Sequence, residues 1–518
     1  MNAQRRFTRK IIYLVAIAIL LLPLSYLSQP GSGEADQGGK LARLRSENEL
    51  GQANLGQVDP TSATMRFASF GLHGLASSWL WMQATDAKNR EDWTLFDATL
   101  EQIANFQPNF VDVWRFQAWN VSYNMSVRFD DYRDRYTYVV RGMKYLERGI
   151  SYNDQEATLP GDLAWFTGNK IGKAEERRAF RRLFKADDAY HDPPAEEDWL
   201  AGTAYEETIR GRPVRDNWLL AHQWYLLLND RKDRNEIARP RRSDPLFYRE
   251  SAHSLIEYAE ALAKDGEFGP KLERAWSNAA DAWRRYGERS MVMRGGLRLR
   301  LLDYDVYRRR ALKLLAEVDV LNPEWKAKRL EQYGHKLTEA QQEAWAKPWS
   351  DCDEDEKETK LRVAVSVWAN LRDLRDDVKE DQLEELNRII ARYEMTIKRV
   401  EAIGYSRELV AYESWRVRCE VERTEDAIAA HQAIYEGDRA MRKAQIAPAL
   451  EHYQKGIQHW SNVLDAYPVL LDDFGMTDDL GRVIEKYREV LRQNEEPFPD
   501  PFSLQQVLDK LKEEGVLQ

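Results

Sequence analysis

Two stretches of this chain, PNFVDVWRFQAWN at residues 108–120 and DQEATLPGDLAWF at residues 154–166, align without a gap at an offset of 46 residues. Each stretch follows one predicted helix and opens another, so the repeated unit is a pair of helices. Units of this kind bury their apolar faces on their neighbours in a stack. The sequence therefore predicts an all-α fold in which helical hairpins stack into a superhelix, an α-solenoid. The alignment superposes Val113 on Leu159, Ala118 on Ala164 and Trp119 on Trp165.

The aligned residues predict packing between the two units. Ala118 and Ala164 are small enough for close helix contact, and tryptophans at helical spacing are usually core residues, so we expect Trp119 and Trp165 to be buried. Pro108 marks the turn inside the first helix pair. These helices belong to a predicted N-terminal repeat region at residues 62–190. Within that region, the apolar periodicity predicts helices at residues 63–89, 93–106, 110–125, 132–151 and 159–171.

The segments FASFGLHGLASSWLWMQATDAKNREDW (67–93) and IANFQPNFVDVWRFQAWNVSYN (103–124) resemble membrane-anchored, tetratricopeptide-like helical proteins of bacteria. The resemblance extends from Thr64 to Ala189 and implies an N-terminal membrane helix and a tetratricopeptide-like superhelix that binds proteins. The repeat here is 46 residues long instead of roughly 34, and Gln117 and Leu163 replace the glycine of that motif, so no target-contacting positions are carried over. Some family members carry a label that mentions an iron-responsive element.

A second tetratricopeptide-like stretch, AQIAPALEHYQKGIQHWSNVLDAYP, occupies residues 444–468. Tyr453, Gly456 and Trp460 follow helical spacing there and are predicted repeat-packing residues. Pro468 ends the helix, since proline commonly follows a helix C-terminus. We assign residues 431–518 to C-terminal tetratricopeptide-like helices.

The centre of the chain is less regular. Residues 191–350 read as a middle helical region with proline-marked loops, and one of its helices is predicted at 298–321. Residues 351–430 read as a charged helical hairpin of two helices, 359–378 and 382–403. A heptad-like seam supports the second helix. The seam consists of Leu383, Leu386, Ile390, Tyr393, Ile397 and Val400.

The N-terminus places a basic cluster before an apolar run from Ile11 to Leu27. This order is typical of a signal peptide or of an uncleaved signal anchor, and the lack of small residues at good cleavage positions favours the anchor. We predict a transmembrane segment at residues 11–28, with residues 1–10 in the cytoplasm by the positive-inside rule. A polar tether at residues 29–61 then leads to an extracytoplasmic domain on the inner membrane. The cytoplasmic basic residues are Arg5, Arg6, Arg9 and Lys10.

Composition excludes several classes of protein. The 518 residues include 76 basic and 86 acidic side chains, and 31% of all residues are charged, so the chain is not a multispan membrane protein. A net charge of −10 argues against a nucleic-acid partner. With 17 tryptophans, 24 tyrosines and 16 phenylalanines, the chain has far more aromatic residues than a disordered protein.

Signatures of catalysis are missing from the sequence. It contains no GxSxG, no glycine-rich phosphate loop, no HExxH and no CxxC, so we predict no catalytic residue, metal site or cofactor. Glu250 and His253 form one Glu-x-x-His, whereas a di-iron bundle needs two. Cys352 and Cys419 are either two buried thiols or a single disulfide.

These features favour a membrane-tethered, non-enzymatic scaffold whose helical repeats bind a partner protein or peptide. One alternative is a helical carbohydrate-active enzyme or sugar-binding protein, in which tryptophans stack on sugar rings beside two carboxylates. Another is an iron-linked protein, which the family label suggests. Trp218 and Trp224, next to a predicted loop, are candidates to line a ligand groove.

Overall fold

The computed structural model divides the chain into two compact units, residues 1–239 and 240–518. The boundary falls inside the predicted middle region. The structure describes residues 11–13, 15–16, 19–20, 23, 73–211, 214–238, 240, 242–347, 351–353, 355–357, 359–360, 363, 374–376, 378–513 and 515.

The described residues of the first unit are mostly helical, with a longer non-helical connection at residues 192–205. Its helices are α1 (His73–Asn89), α2 (Trp93–Phe106), α3 (Val111–Trp119), α4 (Tyr132–Tyr152), α5 (Thr158–Trp165), α6 (Arg177–Ala186), α7 (Asp188–His191), α8 (Glu206–Ile209) and α9 (Asn217–Asp233). Two π-helical segments continue α3 and α5, Asn120–Met125 and Phe166–Lys170.

The second unit is also built from helices. They are α10 (Asp244–Asp265), α11 (Pro270–Glu288), α12 (Tyr304–Leu321), α13 (Trp325–Tyr333), α14 (Glu339–Ala346), α15 (Leu383–Leu409), α16 (Tyr412–Glu422), α17 (Glu425–Arg442), α18 (Ile446–Ala466), α19 (Phe474–Gln493) and α20 (Gln505–Glu513). The predicted all-α class is confirmed.

The only strands among the described residues are β1 (Met291–Val292) and β2 (Arg298–Leu299), an antiparallel pair. The predicted helix at 298–321 is therefore wrong in its first residues, because α12 begins only at Tyr304. Gly295 and Gly296 adopt φ values of 81° and 77°. This left-handed conformation suits glycine and turns the chain back on itself before the helix.

The 46-residue offset is visible in the helix boundaries of the first unit. α2 and α4 end in the same backbone conformation, with φ and ψ of −131° and 64° at Gln107 and of −137° and 52° at Asn153. α3 and α5 both end at the aligned tryptophans and both continue as a π-helix. The two helix pairs therefore repeat each other in local structure.

Pro108 lies where the two repeated pairs meet. Its carbonyl oxygen accepts hydrogen bonds from Trp114 Nε1 and from Asn153 Nδ2, both at 2.8 Å. The ring of Trp114 packs so closely against Gly149 that a Cβ there would lie 2.7 Å from Trp114 Cγ. The turn of the first pair is thereby joined to the end of α4.

In the second unit, α17 and α18 pack along much of their lengths, with α19 and α20 around the same core. Tyr453 and Trp460 are each 2% exposed. Gly456 faces α17, because a Cβ there would lie 2.8 Å from Ile434 Cγ1. Tyr453 also donates a hydrogen bond from its hydroxyl to Asp438 Oδ1 at 2.6 Å.

The long helix α15 packs against α12, and both contribute to one apolar core. From the predicted seam, Leu386, Ile390, Tyr393 and Val400 are buried, with Ile397 partly buried beside them. Most of the predicted first hairpin helix, 359–378, lies outside the described residues. Cys352 and Cys419 are buried thiols that form no disulfide with each other, and burial raises the pKa of Cys419 to about 12.

The predicted membrane anchor falls almost entirely outside the described residues. Arg5, Arg6, Arg9 and Lys10, most of residues 11–28 and the whole tether at 29–61 lie beyond them. Among the helices that the structure does describe, none is long and apolar enough to span a bilayer.

Candidate functional site

Four aromatic side chains from the two repeated pairs, Phe116, Trp119, Tyr123 and Trp165, form what we call the aromatic surface. The ring of Trp119 stacks on Tyr123 with centroids 4.1 Å apart and an interplanar angle of 11°. Trp165 stacks on both, at 6.1 Å from Trp119 and 6.0 Å from Tyr123. The aligned tryptophans of the two pairs therefore touch each other through their rings.

The aromatic surface is open to solvent, so the predicted burial of Trp119 is wrong. Trp119 is 46% exposed and Phe116 is 39% exposed, while Trp165 is half-buried. Ala118 and Ala164 are fully buried instead. Successive helix positions are about 100° apart, so an alanine that faces the core turns the following tryptophan to the flank.

A buried ring holds the aromatic surface in place. Phe166, which is 4% exposed, lies edge-on to Tyr123 at 5.6 Å and to Trp119 at 6.3 Å. At the other end, Phe116 contacts Trp81 of α1 in an edge arrangement at 6.1 Å. Rings fixed in this way lose little conformational entropy when they bind a partner.

The first π segment is clamped by the helix that follows it. Ser122 donates a hydrogen bond to the carbonyl oxygen of Val139 on α4 at 3.2 Å. Gly142 of α4 approaches so closely that a Cβ would lie 2.7 Å from the carbonyl oxygen of Ala118. Such π turns are rare and occur frequently at functional sites.

The second π segment is clamped in an analogous way by α9. Asn217 Nδ2 donates hydrogen bonds to the carbonyl oxygens of Thr167 and Gly168 at 3.2 and 3.1 Å. The Trp218 ring fills the space over Gly168 and Gly172, where a Cβ would lie 2.7 Å from ring atoms. Both clamps stabilise the backbone that carries the aromatic surface.

Trp218 and Trp224 do not line an open groove, so that prediction is wrong. They are 4% and 0% exposed, respectively. Gly168 and Gly172 admit the Trp218 ring to the interior, and Trp224 packs against Tyr205 with ring centroids 5.3 Å apart. Both tryptophans are core residues of the first unit.

A cation borders the aromatic surface. Lys170, the last residue of the second π segment, places Nζ 4.0 Å from the centroid of the Tyr123 ring. Burial lowers the pKa of Lys170, Glu176 opposes this and Arg135 acts in the same direction as burial. Arg135 itself pairs with Glu176. Lys170 makes no ion pair with any residue that the structure describes, so its charge can meet an incoming anion.

A ladder of polar contacts joins α2 to α4. Arg141 pairs with Asp97 at 2.5 Å, and Arg148 contacts Glu101 at 3.2 Å and Asn105 at 2.5 Å. Burial raises the pKa of Asp97, while the charge of Arg141 opposes that shift. Asp97, Glu101 and Asn105 follow each other one turn apart on α2, and Arg141 and Arg148 lie two turns apart on α4, so the contacts run along both helices.

Candidate metal ligands are not gathered by the described parts of the chain. No set of three His, Cys, Asp or Glu side chains among them is placed to hold a metal ion. Glu250 contacts Arg249 at 3.3 Å and Arg242 at 3.7 Å. His253 lies against the ring of Trp415.

No protein-family model matches this sequence, and no curated protein matches it either. Phe116, Tyr123 and Lys170 were not singled out from the sequence. The offset of 46 aligns them with Asp162, Asn169 and Asn124, so the repeat does not indicate them. Only the spacing of Phe116 and Tyr123, three and four residues from Trp119, could have done so, and it does not apply to Lys170.

Proposed function

We propose that this chain is a membrane-tethered, non-enzymatic scaffold whose extracytoplasmic, tetratricopeptide-like helical repeats bind a partner protein or peptide. The observation that carries the proposal is the aromatic surface, where equivalent tryptophans of two helix pairs meet at the solvent boundary. Tryptophan and tyrosine are over-represented among the residues that dominate binding energy at protein interfaces.

The chemistry of the surface supports a specific kind of partner. The exposed rings of Phe116 and Trp119 offer contacts to apolar side chains. Lys170 at the border offers one positive charge. A peptide that presents apolar side chains followed by a carboxylate, from its C-terminus or from an acidic residue, fits both features.

The tether rests on the N-terminal sequence. Basic residues precede an apolar run, as in a signal anchor. The few described positions of that run are helical and expose large apolar side chains, from 46% at Ile11 to 69% at Leu20. Such a helix favours an apolar medium over water. The domain would then lie outside the cytoplasm on the inner membrane.

Site-specific photocrosslinking in cells tests the proposal. A photoreactive phenylalanine analogue at Phe116 in the full chain should form a defined crosslinked species that Trp119→Ala or Lys170→Met weakens. Trp79→Ala is the matched control, because Trp79 is 52% exposed on α1 but takes no part in the surface. Equal crosslinking in all variants, or none from Phe116, would reject the aromatic surface as the binding site.

A second candidate function is sugar binding, which the exposed ring of Trp119 also favours, since flat aromatic faces stack on pyranose rings. A sugar-cleaving enzyme would additionally need two carboxylates about 5 to 10 Å apart beside these rings. Calorimetric titration of the purified chain with soluble oligosaccharides distinguishes the two functions. Saturable heat that Trp119→Ala abolishes would support sugar binding. If no such heat is observed, peptide binding remains the proposed function.

A further inference from the structure

One face of α12 in the second unit combines positive charge with exposed apolar side chains. The face begins at the turn before the helix and continues at helical spacing to its end. Leu302, Val306 and Val320 are 37%, 52% and 80% exposed. Together with three exposed cations they form what we call the basic stripe, which consists of Leu302, Val306, Arg309, Arg310, Lys313 and Val320.

The three cations of the basic stripe are not neutralised inside the molecule. Arg309, Arg310 and Lys313 make no hydrogen bond or ion pair with the residues that the structure describes. Three acidic residues in this part of the chain are already paired, Asp305 with Arg308 at 3.3 Å, Asp303 with Arg300 at 2.9 Å, and Glu317, on the same helix face, with Arg392 at 3.2 Å. The stripe therefore presents a net positive charge on a chain whose total charge is −10.

The opposite face of α12 explains why the stripe points outwards. Leu312, Leu315 and Val318 are buried in the core that α12 shares with α15. The buried face attaches the helix to the unit. The apolar side chains of Leu302, just before the helix, and of Val306 and Val320 take no part in that core and are exposed. Exposed apolar side chains beside unpaired cations combine the two interactions, apolar insertion and attraction to anionic lipids, by which a protein surface binds a membrane.

We propose that the basic stripe docks on the surface of a bilayer that contains anionic lipids. Each arginine or lysine near such a surface strengthens attachment by about fivefold, and the apolar side chains enter the headgroup region. A nucleic acid would match the cations but would leave the three apolar residues in water. The proposal goes beyond the proposed function, because it concerns the second unit and does not involve the aromatic surface.

An environment-sensitive fluorophore on the full chain tests the docking. Cys352 and Cys419 are 6% and 0% exposed, so a nitrobenzoxadiazole label on a Val306→Cys variant reacts at the new thiol. We expect its emission to rise about twofold and shift to the blue when the protein is reconstituted in vesicles of phosphatidylcholine with phosphatidylglycerol. Vesicles of phosphatidylcholine alone should leave the emission low.

Charge reversal with a matched control completes the experiment. Arg309→Glu, Arg310→Glu and Lys313→Glu together should return the emission to its level in neutral vesicles. Arg423→Glu, Arg442→Glu and Lys443→Glu change the charge equally on other exposed positions of the same unit and should have no effect. Arg309→Gln, Arg310→Gln and Lys313→Gln remove the same charges without adding negative ones, and circular dichroism checks that every variant is folded.

Two results would overturn the docking proposal. One is emission that does not depend on the anionic lipid, and the other is an equal loss in both charge-reversed variants, which would mean bulk electrostatics. Crosslinking from Phe116 tests partner binding at the aromatic surface, and the fluorescence experiment tests membrane docking. A negative result in one experiment therefore does not decide the other proposal.

Discussion

Gly142 shows how a single residue controls the packing of the first repeat. A Cβ on Gly142 would meet both Ser122 Oγ and the carbonyl oxygen of Ala118, the latter at 2.7 Å. Backbone atoms cannot move aside as a flexible side chain can. The absence of a side chain at this position thus lets α4 approach the first π segment.

We therefore expect Gly142→Ala to lower the free energy of unfolding by about 1–3 kcal/mol, as overpacked positions do. Urea denaturation followed by circular dichroism measures the change. Gly161→Ala is the matched control, because its Cβ would lie 3.9 Å from Leu228 Cδ1, an ordinary contact. In that helix alanine should be neutral or stabilise by up to about 1 kcal/mol. Equal destabilisation by the two changes would refute the close-approach argument.

A second residue-scale feature is the pair between His431 and Glu422 in the second unit. His431 Nε2 lies 2.7 Å from Glu422 Oε2, and Glu422 is 1% exposed. Arg418 contacts the same carboxylate at 3.7 Å and Glu260 at 3.5 Å. Burial lowers the pKa of His431, but the charge and hydrogen bond of Glu422 outweigh burial, so the pKa is raised.

A raised pKa in the folded state means that protonated His431 contributes stability at acidic pH. The contribution is full below the ordinary histidine pKa of about 6.5 and is lost as pH rises through the higher pKa of the folded state. We expect the urea concentration at the midpoint of the second unit's unfolding to decrease as the pH is raised from 6 to 8.5. His431→Gln should make that decrease smaller. His335→Gln, at an exposed position, should leave the pH dependence unchanged; an unchanged dependence in His431→Gln would contradict the assignment.

At the scale of elements, the contact between the turns of the two repeated pairs depends on Asn153. Its Nδ2 donates to the carbonyl oxygens of Pro108 and Gly149, both at 2.8 Å. Gln107 occupies the equivalent position after α2 and makes no such side-chain hydrogen bond. The same backbone turn thus carries a cross-link in one repeat and none in the other.

We expect Asn153→Ala to cost about 1–2 kcal/mol of unfolding free energy, since two hydrogen bonds are lost. Gln107→Ala should cost less than about 0.5 kcal/mol, as surface changes usually do. Urea unfolding of the two variants gives both values. If they were equal, the bond to Pro108 would not be what joins the two pairs.

Some features of the helices are encoded by neighbouring residues, and others depend on contacts with distant parts of the chain. The helix Trp93–Phe106 was predicted with its observed bounds, because its apolar period and the Pro108 turn are both encoded nearby. The residues just before α12 were predicted as helix. They instead belong to a small hairpin, because Gly295 and Gly296 form a turn between β1 and β2. Nor could periodicity distinguish π segments from α-helix, since a π turn depends on the neighbouring helix that bonds its carbonyls.

At the scale of the whole molecule, each unit has helices packed around apolar residues of its own. We expect fragments 63–239 and 240–518 to fold separately, each with a cooperative thermal transition, as units with their own cores commonly do. Circular dichroism and calorimetry of the two fragments measure this. A fragment that is helical but melts without cooperativity would show that its core is incomplete.

The candidate site was only partly predictable from the sequence. The aligned tryptophans drew attention to positions 119 and 165, which do lie together, but the prediction buried Trp119 and exposed Trp218 and Trp224. The structure has the reverse exposure for all three. A tryptophan's burial depends on what packs over it, and for Trp218 that is two glycines about fifty residues earlier in the chain.

The sequence by itself determined the helical class and the 46-residue repeat, because apolar periodicity and turn-forming residues act over a few positions. The membrane anchor, predicted from the same kind of local pattern, stays a prediction. Only the tertiary structure decided which aromatic rings reach solvent, where Lys170 lies and which face of α12 carries unpaired cations. Those properties depend on which residues, distant in the chain, fill the same space in the core or pair with the same charged group. A local sequence pattern does not contain that information.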